Sequence, residues 1–340
     1  MDLKFLASDR VEALVSHLMH QKAVYAPQRM GRHSVALDKV TNPAAVVLDY
    51  SRTMQSVKKY FQPPRDELLK FDLTDQSFAA ATVEPLDAVL LGIHSYDRAA
   101  IDRLDYNFSQ GQPEKNYLKR REGVIWVGVS YEPDEFHFSG SVGIGPLETE
   151  GFDVFLSRVG GGYQVETVTE KGGEILAGFD LPQAEQGKPS PGHFHQHIFL
   201  PQARLNEVMA ASYSSPVWEE TAQKCVGCGS CNIVCPTCYC FNVEENVDIK
   251  VTGGTRERIW DGCMLREFTE VAGGEVFRGG LAERQRHRVL RKFKYLSDRT
   301  GHPWCVGCGR CTAYCTAGIS IVSIVNRCVS DFEKHPTTAV

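Results

Sequence analysis

A chain of 340 residues leaves room for two or three domains, and 42% apolar with 23% charged residues is an ordinary globular composition. It holds no run of about 18 apolar residues, which excludes a helical membrane span. The stretch Met1 to Gln21 has no signal-peptide core, so the cytoplasm is the expected location, and a net charge of −5 without a basic, aromatic-laced run argues against a nucleic-acid partner.

In chain order, residues 3–21 read as an amphipathic helix, with Leu6, Val11, Leu14, Val15, Leu18 and Met19 near helical spacing and Ser8 or Asp9 as an internal N-cap. A turn is expected at Ala26-Pro27 and a strand over Ala44–Leu48. Residues 87–93 and 124–130 are continuous apolar runs with a helical segment, Asp97–Leu104, between them. Two buried strands joined through a helix predict an α/β core in the N-terminal part. Two alternating runs, 153–159 and 163–169, flank Gly160-Gly161-Gly162 and predict a hairpin. Residues 180–192 are loop by composition, and a helical pattern covers about 204–212.

All twelve cysteines fall in the last 116 residues. They are dominated by the run Cys225-x2-Cys228-x2-Cys231-x3-Cys235, repeated as Cys305-x2-Cys308-x2-Cys311-x3-Cys315. Three thiolates at this spacing can wrap one cubane in a tight loop, and the fourth reaches the neighbouring one. The repeat therefore predicts two [4Fe–4S] clusters with crossed ligation. Cys225, Cys228, Cys231 and Cys315 would hold one, and Cys305, Cys308, Cys311 and Cys235 the other. Zinc sites favour paired spacing, and disulfides are the other competing reading. Gly227, Gly229, Gly307 and Gly309 would let backbone N–H groups approach the sulfides.

The overall class expected is α+β, with an N-terminal α/β scaffold or docking domain over 1–215 and a dicluster ferredoxin-type domain over 216–340. The 69 residues between the runs are expected to be mostly helical, around Asp261–Thr269 and Glu283–Ser297. The basic segment 278–299 has two readings, an electrostatic partner for clusters or a redox protein and a solvated helix face. Cys238, Cys240 and Cys263 could form a further metal site, for which no fourth ligand is apparent, and packing as small buried groups is the preferred reading. His193, His195 and His197 alternate as ligands on a strand would, but surface histidines in a loop fit better. Cys328 is expected in the core. No dinucleotide fingerprint, Walker motif, nucleophile elbow or zinc-protease helix is present, so no catalytic residue is expected.

Beyond these motifs, the chain resembles the iron–sulfur beta subunit of soluble, NAD(P)-linked nickel–iron hydrogenases, the sulfhydrogenases. It is also similar to the component of anaerobic sulfite reductase that feeds electrons to its sirohaem subunit. The pieces that carry the resemblance include Tyr50-Ser51-Arg52-Thr53, Gly92-Ile93-His94-x-x-Asp97, Arg120-Arg121-Glu122-Gly123, Pro133-Asp134-Glu135, Cys235-Pro-Thr-Cys-Tyr-Cys240 and Arg256-Glu-Arg-Ile-Trp-Asp-Gly-Cys263. The resemblance implies an electron-transfer subunit that relays electrons between a flavin-bearing, NAD(P)-binding subunit and a hydrogenase small subunit. A sirohaem partner and direct reduction of a sulfur compound by the chain itself are the alternatives. Hydrogenase-type members carry four more cysteines in the N-terminal part, at positions that read Tyr96, Tyr131, His137 and Ser139 here. The resemblance therefore implies that a cluster site of those relatives is lost in this chain.

Overall fold

The structure, a computed structural model, describes residues 3–31, 34–184 and 187–334. Among the described residues, the larger sheet is built from β1 (Lys4–Ala7), β2 (Ala23–Arg29), β3 (Val35–Lys39), β6 (Ala88–Ile93), β7 (Ile125–Val129), β8 (Val154–Val159) and β9 (Gly162–Thr167). Their order is β1-β9-β8-β7-β6-β2-β3. The central neighbours β2, β6, β7 and β8 run parallel, while β3, β9 and β1 add antiparallel edges. Every residue of β6 and β7 is buried, because a parallel sheet is covered on both faces and its middle strands must be apolar throughout. Val89 and Leu91 enter one core with Leu14, Val15 and Leu18 of α1 (Val11–Met19). Leu90 and Ile93 enter another with Ile101 and Leu104 of α2 (Ser95–Ser109). The helices α3 (Lys115–Arg121) and α4 (Glu170–Leu176) complete this N-terminal part.

The parallel strands, the helix between them and the glycine-turned hairpin lie where the sequence predicts. Three local expectations need correction. The segment 3–21 begins as a strand, since Lys4–Ala7 pairs with β9 at the sheet edge, and helix starts only at Val11. The expected turn at Ala26-Pro27 lies inside β2. Residues 23–25 pair with β6 and 25–29 with β3, and Pro27, which lacks an N–H, lies past the β6 pairing, where its carbonyl accepts the Val47 N–H at 2.8 Å. The expected strand at Ala44–Leu48 is a 3-10 turn over Pro43–Ala45, whose Ala44 N–H is capped by the Asn42 side chain at 3.2 Å, plus one bridge at Val46.

The cysteine-rich part contributes α5 (Gln202–Ala211), α6 (Val217–Ala222), α7 (Ser230–Ile233), α8 (Leu281–Leu290), α9 (Ser297–Thr300), α10 (Arg310–Ala313) and α11 (Ile321–Lys334). The fold is α+β, as expected. The interval between the two cysteine runs is only partly helical. Its helices are α8, prolonged by a π-helical turn at Arg291–Tyr295, and the short α9, while 261–269 holds just a 3-10 turn at Glu267–Thr269. Preceding them is a hairpin, β10 (Phe241–Val247) and β11 (Gly253–Trp260). This hairpin joins β4 (Arg65–Asp72) and β5 (Ser77–Ala80) in a second sheet, order β10-β11-β4-β5. Residues 241–260 carry no apolar face, because Val243 and Val247 are exposed and Glu244, Glu245, Arg256 and Glu257 stand among them, so the sequence holds no strand signal there. Buried Arg258 on β11 meets Asp66 on β4 at 2.6 Å, and Arg120 grips the same carboxylate at 2.6 Å. A third core also crosses between the parts: Tyr96, Tyr131 and Phe138 pack with Val289, Phe293 and Val325.

Candidate metal centre

The two cysteine runs fold into similar loops. In each, a left-handed glycine, Gly229 (φ 72°) or Gly309 (φ 71°), ends the loop and caps a short helix, α7 or α10. These two helices pack against each other. Cys225, Cys228 and Cys231 border one cavity, and Cys311 and Cys315 close it from the second run. Donors converge on its sulfurs. The Gly227 N–H lies 3.4 Å from Cys225 Sγ, the Gln285 amide 3.2 Å from the same atom, and the Ile319 N–H 3.3 Å from Cys315 Sγ. Cys235 turns the other way. It is buried near enough to Cys308 for their charges to interact, and Lys292 Nζ lies 3.2 Å from its sulfur.

Burial pushes the Cys231 and Cys305 thiols up to about 12 and Cys308 up to about 11. Such thiols ionise at neutral pH only when a metal cation compensates the charge. Exposed Cys228 is instead held below the ordinary thiol value by its hydrogen bonds from Ser230. Burial alone would discharge Lys292, yet Cys235 and Cys238 hold its pKa above the ordinary lysine value. None of the cysteines is in a disulfide. The donor set fits a cubane: soft thiolates, backbone and amide N–H groups directed at sulfur, and buried cations behind them.

The basic segment resolves into two faces. Gln285, Arg288 and Lys292 lie at helical spacing on one face and turn inward to the cysteines, while Arg286 and Lys294 remain partly exposed. Arg310, placed between Cys308 and Cys311, is fully buried. It makes two bonds to the Asp97 carboxylate, at 2.6 and 2.7 Å, and donates to the Thr53 carbonyl at 2.7 Å. The second loop is thus locked to the start of α2. A Cβ on Gly307 would stand 2.3 Å from Ser139 Cα, and one on Gly309 2.4 Å from the Phe136 oxygen, so residues 136–139 seat directly on the loop. Lys58 bridges from the N-terminal part, donating to the Cys235 and Cys238 carbonyls at 3.2 and 2.9 Å. Its burial lowers its pKa to about 8. Sequence reasoning missed Asp97, Lys58 and Arg310. Arg310 had a signal in its position inside the second run, but Asp97 and Lys58 act across long sequence separations.

The structure also gathers the four N-terminal positions singled out above. Ring centroids lie 5.0 Å apart for Tyr96–Tyr131, 5.3 Å for Tyr96–His137 and 5.2 Å for Tyr131–His137, and the Tyr131 and Ser139 hydroxyls are 2.6 Å apart. His94 joins them, its Nδ1 2.7 Å from the Tyr96 hydroxyl. Rings occupy the space between these positions, beside the Cys308 loop. The three alternating histidines lie in a loop with no strand; the rings of His193 and His195 are 5.2 Å apart, and the His197 carbonyl accepts from Asn326 at 2.8 Å. Among the described residues, no three Cys, His or carboxylate side chains are spaced for a single metal ion. Cys328 is buried in the core, as expected. Among the described residues no helix is long and apolar enough to cross a membrane.

Comparison with known proteins adds two findings. Residues 224–319 match the family described as 4Fe-4S dicluster domain. The whole chain is similar to sulfhydrogenase 2 subunit beta of Pyrococcus furiosus, 31% identical over 343 residues, covering 94% of this chain and 96% of that one. No solved structure matches.

Proposed function

We propose, from the premise that this chain belongs to the family of sulfhydrogenase beta subunits, that it is the electron-relay subunit of a hydrogenase-type complex and not its catalytic chain. The chain carries two [4Fe–4S] clusters, and when bound these supply one-electron redox chemistry at potentials set by their surroundings. We assign Cys225, Cys228, Cys231 and Cys315 to one and Cys305, Cys308, Cys311 and Cys235 to the other. The observation that carries this reading is that Cys315 borders the cavity of the first loop, beside Cys311, while Cys235 is absent from it and lies near Cys308. The chain's own groups then do electrostatic work. Gln285 and the Gly227 N–H donate to Cys225, and Lys292 holds positive charge against Cys235, favouring electron uptake there.

Residues 1–215 act as scaffold and docking module and 216–340 as the cluster module. Through Lys58, Asp97 and the 136–139 loop, the first fixes the second. The partners are a flavin-bearing, NAD(P)-binding subunit and a hydrogenase small subunit. The test uses the anaerobically purified chain with reduced viologen. Electron uptake without turnover of protons, polysulfide or sulfite is expected, and co-purification from the native host should bring down flavin and nickel. Turnover by the isolated chain, or a sirohaem partner, would overturn the assignment.

A further inference from the structure

Three cysteines lie outside the repeated runs, and the fold brings them together. Cys238 and Cys240 follow Cys235 in the first run, and Cys263 arrives from the loop after β11. All three border one small cavity, the first loop's cavity is lined in part by the same chain segment, and Arg288 lines both. Thiols that pack as small apolar groups fill space, whereas these surround it. Asn232 organises two of them. Its amide nitrogen lies 3.4 Å from Cys263 Sγ and 3.7 Å from Cys238 Sγ, while its carbonyl oxygen accepts the Met264 N–H at 2.9 Å. A Cβ on Gly262 would stand 2.6 Å from Asn232 Cβ, so the Gly262-Cys263 turn is seated against this side chain.

Charge points the same way. Arg288 and Lys292 are buried in the cavity wall, and their contacts are Gln285, Thr237 and thiol sulfurs; among the described residues neither meets a carboxylate. Buried cations need an anionic counterpart. No three ligands here are spaced for a single ion, as is also true of the eight cysteines of the two runs. Thiolates around a cluster stand further apart than thiolates around one ion, because several irons and sulfides lie between them. The cavity wall holds no other cysteine, histidine or carboxylate.

We propose that Cys238, Cys240 and Cys263 hold a third iron–sulfur cluster, ligated by three protein thiolates. It neighbours the second cluster. Lys292 Nζ reaches Cys235 Sγ at 3.2 Å and Cys238 Sγ at 3.6 Å, so one cation lies against ligands of both. The site would extend the relay past Cys235 to the surface on which Cys238 and Cys240 are partly exposed.

The test is iron, zinc and acid-labile sulfide per chain on the full-length protein, purified anaerobically and reconstituted with iron and sulfide, with Mössbauer spectra of the same sample. Two cubanes account for about eight irons, and the proposal expects about eleven or twelve. Cys263→Ser, and the pair Cys238→Ser with Cys240→Ser, should each return the count to about eight and leave the spectra of the two cubanes unchanged. The wild-type count stands whether or not the variants fold. Eight irons with three titratable thiols, or eight irons with one zinc lost in Cys263→Ser, would overturn the proposal. A count of four or fewer would overturn the two-cluster reading as well, so the two failures are distinguishable.

Discussion

Replacing Asp97 by Asn leaves the Arg310 guanidinium without its counter-ion at a position of zero solvent exposure. Removing one partner of a buried ion pair costs about 3–5 kcal/mol, since the remaining charge stays desolvated. The Thr53 carbonyl still accepts from Arg310, and the Cys308 sulfur lies near enough to attract it, so the lower end, about 3 kcal/mol, applies. With an unfolding entropy of about 2.1 cal/mol/K per residue, a chain of 340 residues loses about 4 °C in thermal midpoint for that cost when it unfolds as one unit. The assay is thermal unfolding of anaerobically prepared Asp97→Asn, Arg310→Met and the double variant, each matched for iron content. The double variant should recover most of the loss, because an apolar side chain of similar length needs no counter-ion. A midpoint within about 1 °C of wild type for Asp97→Asn, or a double variant no better than the single, would refute the claim that this pair locks the second loop to α2.

Gly307→Ala should strip iron from the second cluster and destabilise the chain by more than about 2 kcal/mol, because its Cβ would strike the Ser139 backbone at 2.3 Å. Gly227→Ala should be milder, meeting the Leu281 side chain at 3.2 Å and Arg284 Nη1 at 3.8 Å and no backbone; equal iron loss in both would count against the seating of residues 136–139. Lys292→Met removes positive charge beside Cys235, which disfavours the reduced state and should lower the second cluster's potential by on the order of 100 mV, read by EPR-monitored redox titration. A potential that stays or rises contradicts the assigned ligand. Burial, reinforced by the charges of Arg310 and Arg52, holds the pKa of His94 well below the ordinary imidazole value, and burial lowers His137 against the opposing pull of Asp134. His94 is therefore neutral when folded, and His137 protonates less readily than a free imidazole. Their contribution is present above about pH 6.5 and is lost as pH falls below it, by up to about 1.4 kcal/mol per pH unit for each. Chemical unfolding between about pH 7.5 and 5.5 should show a shallower slope in His94→Gln, and an unchanged slope would refute buried neutrality.

Short-range regularities were legible. The apolar runs at 87–93 and 124–130 can be satisfied only inside a covered sheet, and the glycine triplet at 160–162 can only turn. Where a segment's partner is distant, periodicity misled. Lys4–Ala7 shares a helical pattern with the residues after it, yet the open edge of β9 claims it as a strand. The charged alternation of 241–260 carries no apolar face, so only its pairing with β4 reveals the strands. The basic segment was ambiguous for the same reason: helical spacing says which residues share a face, but not what that face meets.

What the sequence determined by itself is therefore the cluster chemistry. Thiols at i, i+3 and i+6 with glycines between them close a loop by local geometry alone, whatever surrounds it. Tertiary structure decided everything that spans the chain. It placed Cys315 against the first loop, turned Lys292 toward Cys235, and set Arg310 on Asp97, 213 residues away. It also brought Cys263 to Cys238 and Cys240. The physical reason is that spacing within a few residues is limited by bond geometry, whereas contacts across hundreds of residues are set by which apolar faces and buried charges must be covered together.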